Sequence, residues 1–481
     1  MDTLKPFISA MVPLFCTDLD ELFPKKLQAE RARAILQYMF VQYHIYMTGN
    51  PDYAAYLKRE ERYCFLSSKR LQLIGKGTYK QIIATLVANN IIQVKAHPTT
   101  GTEHYRPGRA KEYRIHPSLT HQAKAVGGRS YRREKIYHPA LISIVKDMYD
   151  EQYPNKLAIV SRVNPLIKDI MAFTDSLTLD MEAIEADLQS GRLPDPKENL
   201  YCIAEMYSLE YARHVSYNKL SKRVFHHLCN LSSALRNYLV HPDGEPLVEL
   251  DFSNSHPWVL GSCLMNPEIF IEFAPEFKPV YNVLQKYSNC AFDDIKRFHH
   301  ICCRGEFIPN WLYVTGVIKK LGDPYTKEQK DTAKELLWHH IFYGAPDNHF
   351  KKGTPEHEER FKTELLFKSE YPNVHRALLE LKRTPVKVLP FIKHTRRSNG
   401  KKGTMKSSPS IMLSVMEAYL MYQVIIPLFL AEGIESTTIH DSFIMSINDK
   451  DRAQEIIQNA FMERGIKPPK LRVTELNGTN I

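Results

Sequence analysis

The stretch LVELDFSNSHPWVLGSCL, at residues 247–264, decides the fold of this chain. Residues 247–250 predict a short strand that delivers Asp251 at its C-terminal end, and Pro257-Trp258 predicts the start of a helix. A carboxylate at a strand end, followed by a turn into a helix, is suited to holding a hard divalent cation. Strands also end in Asp for reasons of turn geometry, so this segment alone does not identify a metal site.

A second segment, ESTTIHDSFIMS at residues 435–446, has two short β-type runs on either side of His440-Asp441. This pattern predicts a hairpin with the His-Asp pair at or near its turn. If this turn and the end of the earlier strand meet, their two Asp carboxylates can share two metal ions. One ion would activate an oxygen nucleophile, and the other would stabilise the leaving phosphate oxygens.

Between these segments lies KDTAKELLWHHIFYG, at residues 330–344, which predicts a helix that ends at Tyr343-Gly344. Lys330 and Lys334 are four residues apart and therefore share one helical face, which Trp338 continues. Lysines and an aromatic ring on one face could bind a triphosphate and stack on a base. The same spacing is also common in ordinary amphipathic helices.

A fourth segment, KRVFHHLCNLSSALRNYL at residues 222–239, precedes the first Asp and contains Arg223, Asn230-Leu231 and Arg236. In this order, the four segments resemble those of family A DNA polymerases and the related single-subunit, phage-type RNA polymerases. The resemblance covers about residues 216–481, just over half of the chain.

The resemblance rests on four motifs. Arg223 with Asn230-Leu231 resembles the family's TGR…NLQ segment, and Asp251-Phe252-Ser253 resembles motif A, DYSQIE. Lys330, Lys334 and Tyr343-Gly344 resemble motif B, RxxxK…YG, with Lys330 in place of the usual Arg. His440-Asp441 resembles motif C, HDE or HDS.

The resemblance implies a role for each of these residues. Asp251 and Asp441, with the main-chain carbonyl of Phe252, would hold two Mg²⁺ ions, for which Mn²⁺ is the expected substitute. His440 would join the catalytic group near the primer terminus. The residues expected to bind the incoming nucleoside triphosphate are Lys330, Lys334, Trp338, Phe342, Tyr343, Gly344 and His256. Arg223, Asn230 and Arg236 would contact the primer–template, which is DNA or RNA.

Three departures from the family pattern affect these expectations. The interval from Lys334 to Tyr343 is one residue longer, so Phe342 is the alternative to Tyr343 as the residue that closes over the nascent pair. His256 replaces the Glu that excludes a ribose 2′-hydroxyl in DNA polymerases, and Ser442 follows the motif C Asp, as in the RNA polymerases. Motif A favours DNA synthesis and motif C favours RNA synthesis. We expect a DNA polymerase, with a single-subunit RNA polymerase or primase as the alternative.

The N-terminal part predicts a winged helix. The predicted order is a helix at 77–88, a strand at 91–94, a polar hairpin at 97–109 and a strand at 112–115. The candidate phosphate contacts are Lys76, Tyr79, Lys80, Arg106 and Arg109. A winged helix can also serve only for packing or protein contacts, and the sequence leaves both uses open.

Two further basic segments are candidates for nucleic-acid contact. Residues 124–135 predict a linker with Arg132 and Arg133, and residues 393–406 predict a flexible loop with Arg396 and Arg397 between motifs B and C. Each segment also fits a merely solvated excursion of the chain.

The predicted fold class is α+β, with a right-hand polymerase-like palm, fingers and thumb and an N-terminal, mainly helical winged-helix region. The predicted domains are an N-terminal helical and winged-helix domain at 1–123, the linker at 124–135, a helical thumb-like region at 136–215 and a palm with inserted fingers at 216–481. Asp180-Met-Glu182 matches the DxE pair of proofreading exonucleases. It lies in a helix-like run without later Asp-rich blocks, so we expect no proofreading.

Composition indicates a polyanionic partner and a reducing compartment. The 64 Lys and Arg exceed the 54 Asp and Glu, which gives a net charge of +10 and favours nucleic acid as partner. The eight Cys form no CxxC pair, and we expect no signal peptide, so a bacterial, viral-host or mobile-element-host cytoplasm fits. The apolar stretch 411–431 carries Glu417 and Pro427, which favours a buried helix with a break over a membrane span.

An interpretation from a different functional class is also open. The chain could be a DNA-binding replication initiator or regulator whose polymerase-like half is catalytically inactive. The presence of Asp251, Lys334 and Asp441 argues against it, because an inactive scaffold does not need them.

Overall fold

The computed structural model describes residues 9–13, 19–49, 63–95, 111–117, 131–194, 199, 202–203, 215–218, 221–273, 278–290, 292–343, 353–384 and 409–476. The chain forms two compact units. The first comprises Met1–Asn164, Ser190–Ser216 and His226–Ser232, and the second comprises Pro165–Gln189, Tyr217–Phe225 and Ser233–Ile481. The predicted thumb-like region at 136–215 is therefore shared between the units.

The first unit consists of helices and two small antiparallel sheets. Its elements are β1 Ser9–Pro13, α1 Leu19–Leu22, α2 Lys26–Gly49, β2 Cys64–Leu66, α3 Ser68–Gly75, α4 Tyr79–Ala88, β3 Ile92–Val94, β4 Lys111–Ile115, β5 Tyr131–Lys135 and α5 Pro139–Ser161. The sheets have the orders β1-β5 and β2-β4-β3. Ala32, Ile35, Leu36 and Met39 of α2 are buried, and this i, i+3, i+4, i+7 spacing gives the helix one core-facing side.

The predicted helix and two strands of the winged-helix segment are confirmed as α4, β3 and β4. The chain enters α4 through a tight turn at Gly75, where a Cβ would clash with the Cβ of Tyr79. The predicted hairpin loop lies outside the described residues, so the winged helix itself stays a prediction. Residues 131–135, predicted as part of a linker, instead form β5 and pair with β1. Local composition does not report a backbone ladder with a partner more than 100 residues away.

The second unit is built around one four-stranded sheet. Its elements, with the strands at the passages between units, are α6 Ile167–Ser176, β6 Thr178–Leu179, α7 Met181–Gln189, β7 Val215–Tyr217, β8 Val224–His226, α8 Ser233–Arg236, β9 Leu239–Val240, β10 Leu247–Phe252, α9 Ser255–Met265, α10 Glu268–Phe273, α11 Lys278–Ser288, α12 Asp293–Cys303, α13 Phe307–Val314, α14 Lys327–Leu336, α15 Pro355–Glu370, α16 Pro372–Arg383, α17 Pro409–Tyr419, α18 Ile426–Ala431, β11 Ser436–Ile439, β12 Ser442–Ser446, α19 Lys450–Glu463 and β13 Leu471–Leu476. Two π-helical segments, Leu337–Phe342 and Leu420–Ile425, follow α14 and α17.

The sheet is antiparallel with the order β11-β12-β10-β13. The predicted strand before Asp251 is confirmed as β10, which pairs on both sides and is buried except at Asp251. Asp251 lies opposite Ser442 of β12 and Arg472 of β13. Helices α9 to α18 all lie between β10 and β11 in sequence, so the two central strands flank a long helical insertion.

One face of this sheet packs on an aromatic cluster. The ring centroid of Phe252 lies 5.9 Å from the centroids of Trp258, Phe443 and Phe461. Phe429 packs on Phe443 at 5.2 Å. Side chains alternate between the faces of a strand, so Phe252 anchors one face and Asp251 points to the other. The carboxylate is thus carried by a rigid, fully paired strand.

The apolar stretch predicted as a buried helix is α17, a π-helical segment and α18. By length and composition, Pro409–Ala431 could cross a membrane, and 67% of its most apolar window is buried inside the structure. The core helix of a globular unit passes the same test. The predicted break takes the form of the π-helical segment, which ends where Pro427 lies in the first turn of α18.

Candidate active site

The structure brings Asp251 and Asp441 to the same end of the sheet. Asp441 lies in the turn between β11 and β12, and its carbonyl accepts a hydrogen bond from the backbone N of Phe252 at 3.2 Å. This bond ties the turn directly to the residue that follows Asp251. Two carboxylates that are 190 positions apart in sequence therefore meet on one sheet face.

The two carboxylates repel negative charge in a partly buried site. Burial, together with repulsion from Asp441, raises the pKa of Asp251. Burial, together with repulsion from Glu417, raises the pKa of Asp441. Like charges held together in a protein favour the neutral forms unless a cation neutralises them. The site is therefore poised to accept positive charge.

The turn that carries Asp441 has an unusual backbone. Ile439 pairs with Ser442, so His440-Asp441 form a two-residue hairpin turn, as predicted. His440 adopts a φ of 56°, a left-handed conformation that is uncommon for residues other than glycine and somewhat less so for His. Partial burial and the nearby Arg223 and Arg236 lower the pKa of His440, which favours its neutral form.

The donor set fits a hard divalent cation that completes its shell with substrate. The described residues contain no group of three or more His, Cys, Asp or Glu side chains that could hold a metal. Mg²⁺ is typically bound through one or two carboxylates plus substrate phosphates rather than by an all-protein cage. Asp251 and Asp441, with the main-chain carbonyl of Phe252 as the predicted third oxygen, match that pattern.

The predicted lysine helix approaches these carboxylates. It begins with a capping box between Thr326 and Gln329. The charge of Lys334 lowers the pKa values of both Asp251 and Asp441, so its ammonium lies near both carboxylates. Burial lowers the pKa of Lys330, and the charge of Lys334 lowers it further. Both predicted lysines therefore lie at the acidic site.

A π-helical segment sets the position of Tyr343. The nine residues from Lys334 to Tyr343 would make about two and a half turns of α-helix, which places them on opposite faces. The segment Leu337–Phe342 absorbs one residue, and the N of Tyr343 donates to the carbonyl of Trp338 at 2.8 Å. Tyr343 is consequently rotated back towards the face of Lys334.

Phe342 lies in the core instead. It is buried, and its ring packs on Phe307, Phe367 and Trp338 with centroids 6.1, 6.2 and 5.1 Å away. Of the two aromatic residues predicted as alternatives, only Tyr343 is turned towards the site. Trp338 is half-buried beside it, with ring centroids 6.2 Å apart.

A buried hydrogen-bonded network surrounds His256. Nε2 of His256 lies 3.4 Å from Nη2 of Arg223, and its Nδ1 bonds to the hydroxyl of Tyr343. Because a guanidinium can only donate, Nε2 must accept, and Nδ1 carries the proton that it donates to Tyr343. Burial and repulsion from Glu417 raise the pKa of Tyr343. The network thus holds a neutral His and a neutral Tyr.

We expect His256 to remain neutral throughout the physiological pH range. Burial, followed by the charge of Arg223, lowers the pKa of His256 to about 3. Its imidazole resonances, assigned by comparison with the His256→Gln variant, should show no titration in NMR spectra recorded between pH 8 and pH 5. A midpoint above pH 5 would contradict the buried, arginine-bound geometry.

Glu417 is the centre of this network, and sequence reasoning did not assign it to the site. Its side chain is 1% exposed and forms an ion pair with Arg223. It also accepts a hydrogen bond of 2.5 Å from the hydroxyl of Ser255, and lies 3.6 Å from Nε2 of His256. The available signal was a lone acidic residue in the most apolar stretch of the chain, which had been used only to argue against a membrane span.

Arg472 is a second site residue that sequence reasoning missed. Its Nη2 lies 2.8 Å from Oδ2 of Asp251, its partner across the β10–β13 ladder. No sequence signal marks it, because the pairing of the last strand with β10 is not visible in local patterns.

The remaining predicted contacts lie elsewhere. Arg236 forms an ion pair with Glu249 at 3.2 Å, and Asn230 is an exposed residue of the first unit. Lys76, Tyr79 and Lys80 also belong to the first unit, where Lys76 and Lys80 are exposed. Arg132 and Arg133 are described only as the backbone of β5. Gly344, Arg106, Arg109, Arg396 and Arg397 lie outside the described residues.

Comparisons with known proteins give one structural similarity. No family model matches the chain, and no curated protein matches its sequence. Among solved structures, the chain is similar to the POL domain of Pol1 from M. smegmatis, in complex with DNA primer-template and dNTP. The identity is 13%, the alignment covers 98% of this chain and 67% of that chain, and the TM-score is 0.36. At that TM-score the similarity carries no weight for fold or function.

Proposed function

We propose that this chain is a template-directed nucleic-acid polymerase that transfers nucleotides with two Mg²⁺ ions. The observation that carries the proposal is the meeting of Asp251 and Asp441 on one sheet face, with Lys334 close to both carboxylates. Paired carboxylates next to lysines on a helix suit the handling of a metal-bound triphosphate. The resemblance of the four sequence motifs supports the same class.

The proposed reaction is nucleotidyl transfer. The 3′-hydroxyl oxygen of a primer attacks the α-phosphorus of a nucleoside triphosphate and forms a new P–O bond. The bond to the bridging oxygen breaks, pyrophosphate departs with that electron pair, and the hydroxyl proton passes to solvent. When bound, the ions supply Lewis-acid stabilisation of the attacking and leaving oxygens.

In this proposal the chain's own residues hold and orient the reactants. Asp251 and Asp441 hold the metal-bound phosphates, while Lys330 and Lys334 neutralise the triphosphate. Tyr343, fixed by its bond to His256, provides a ring beside the nascent base pair. Lys76 and Lys80 of the first unit are proposed phosphate contacts, supported by their exposure.

We further propose that the enzyme makes DNA and lacks proofreading. Asp180, part of the exonuclease-like DxE pair, instead caps α7, since its Oδ1 accepts from the backbone N of Ala183 at 2.9 Å. The alternative, a single-subunit RNA polymerase or primase, is favoured by Ser442, which follows Asp441 and donates to Oε1 of Glu249 at 2.7 Å.

One incorporation assay separates these functions. The protein is offered deoxyribo- or ribonucleotides on a single-stranded template, with and without a primer. Primed, deoxyribonucleotide-specific extension would support a DNA polymerase, and unprimed ribonucleotide synthesis would establish the alternative. Tight site-specific binding in a gel shift, with no incorporation on any template, would overturn the proposal in favour of an inactive initiator or regulator.

Lys334→Ala should chiefly weaken the use of nucleotide. Loss of a charge-assisted contact to the triphosphate should raise the KM for nucleotide about 10- to 100-fold. Lys327→Ala, at the exposed start of the same helix, is the matched control and should leave KM unchanged. An unchanged nucleotide dependence in Lys334→Ala would remove Lys334 from the proposed site.

A further inference from the structure

A third cation reaches the site from the sheet. Arg472 lies on β13 directly opposite Asp251, and residues directly opposite in an antiparallel ladder share a face. Its Nη2 lies 2.8 Å from Oδ2 of Asp251. The Arg472 side chain is nevertheless 55% exposed, whereas that of Asp251 is 19% exposed. The guanidinium therefore contacts the carboxylate while remaining open to a ligand from solvent.

Arg472 also belongs to a cluster of positive charge. The charges of Lys334 and Arg472 both lower the pKa of Lys330, after the larger effect of burial, so the three cations lie close to one another. Lys330 and Lys334 come from α14, whereas Arg472 comes from the last strand. Three cations then face two carboxylates, so the open side of the site carries excess positive charge and favours a polyanion.

The geometry points to Arg472 as a third cationic ligand of the nucleotide, one that binds the β- and γ-phosphate oxygens and the pyrophosphate that they become. This inference rests on the proposed polymerase function and adds a residue from outside the four sequence motifs. A guanidinium presents a planar fork of donors that matches two phosphate oxygens, which a lysine ammonium cannot do. A divalent cation on Asp251 competes with Arg472 for the carboxylate, which frees the guanidinium for phosphate.

The competing explanation is that Arg472 only neutralises Asp251. The two explanations differ in their effect on metal and on pyrophosphate. A phosphate ligand that also competes for Asp251 should, when removed, weaken the binding of pyrophosphate but not that of the metal. A mere partner of Asp251 should, when removed, alter metal binding and leave the affinity for pyrophosphate at saturating metal unchanged.

The test measures binding without turnover in the full-length protein. Mn²⁺ affinity is measured by titration, and pyrophosphate affinity is then measured at saturating Mn²⁺, for the parent, Arg472→Ala, Arg472→Lys and Arg452→Ala. Arg452 is a matched control in the same unit, since it is exposed and pairs with Glu432 and Glu455. Arg472→Lys keeps the charge and guards against a folding defect in the Ala variant.

Arg472→Ala should bind pyrophosphate about 10- to 100-fold more weakly, and Arg472→Lys should fall between it and the parent. Mn²⁺ affinity should be unchanged or tighter in Arg472→Ala, and Arg452→Ala should match the parent in both assays. Parent-like pyrophosphate affinity in both Arg472 variants would overturn this inference alone, provided that the parent binds pyrophosphate. If the parent binds no pyrophosphate and incorporates no nucleotide, the proposed function fails as well.

Discussion

Asp441→Asn should abolish nucleotide incorporation and, at the same time, stabilise the metal-free protein. Loss of the carboxylate should reduce the rate by about 10³-fold or more, because several kcal/mol of charge stabilisation at the reacting phosphate are lost. The gain in stability has a separate origin. Burial and repulsion from Glu417 raise the pKa of Asp441, which means that its charged form is unfavourable in the folded state.

The sign of the pH dependence follows from that shift. With a pKa raised above the unfolded value of about 4, folded Asp441 retains its proton where the unfolded chain has lost it. The free energy of unfolding of the metal-free parent should therefore fall as the pH rises above about 4, whereas Asp441→Asn escapes this loss. At pH 8 the variant should be more stable by about 2 kcal/mol, and at pH 4 the two should converge.

Tryptophan fluorescence can follow this difference in the relevant unit. The chain has three Trp, namely Trp258, Trp311 and Trp338, and all three lie in the second unit. Urea unfolding in the presence of chelator, at pH 5 and pH 8, gives the comparison. Asp451→Asn, an exposed carboxylate on α19, is the matched control and should change neither activity nor stability. Primer extension by Asp441→Asn, or its destabilisation at pH 8, would contradict the assigned site.

Local patterns predicted the elements that present the acidic residues. The apolar run before Asp251, the β-type runs around His440-Asp441 and the helical spacing of Lys330 and Lys334 are all short-range signals, and each predicted element is present. The prediction that the two carboxylates meet came from the resemblance, since neither segment alone specifies its partner.

The residues that sequence reasoning missed act through long-range packing. Glu417 bonds to Ser255, which lies 162 positions away, and Arg472 lies opposite Asp251 only because the last strand adds to the edge of β10. The π-helical segment before Tyr343 was equally invisible, because a single extra residue has no compositional mark. Its trace was the interval from Lys334 to Tyr343, which is longer than the family pattern by the one residue that the segment absorbs.

Glu417→Ala should cause the largest loss of stability among single changes at this site. It removes a carboxylate that is 1% exposed and leaves the Arg223 guanidinium without its ion-pair partner. Breaking a buried ion pair from one side costs about 3–5 kcal/mol, because the remaining charge stays desolvated. The Ser255 hydroxyl also loses its acceptor, which adds about 1 kcal/mol.

The controls separate charge from packing. Ser255→Ala removes one hydrogen bond and leaves the ion pair, so it should cost only about 1 kcal/mol. Replacing both Arg223 and Glu417 with Met removes both charges at once, and should recover most of the stability lost in Glu417→Ala, since apolar pairs often substitute for buried ion pairs. If Glu417→Ala unfolds at the same urea concentration as the parent, the buried ion pair does not stabilise the second unit.

The same variant should also affect the acidic site. Removal of the Glu417 charge relieves the repulsion that raises the pKa of Asp441, so this carboxyl should lose its proton at a lower pH. Divalent-cation binding by Glu417→Ala, measured by Mn²⁺ titration, should therefore persist to a lower pH than in the parent, even though the fold is weaker. A purely structural role for Glu417 would reduce stability without this shift, which makes the pH dependence of metal binding the decisive measurement.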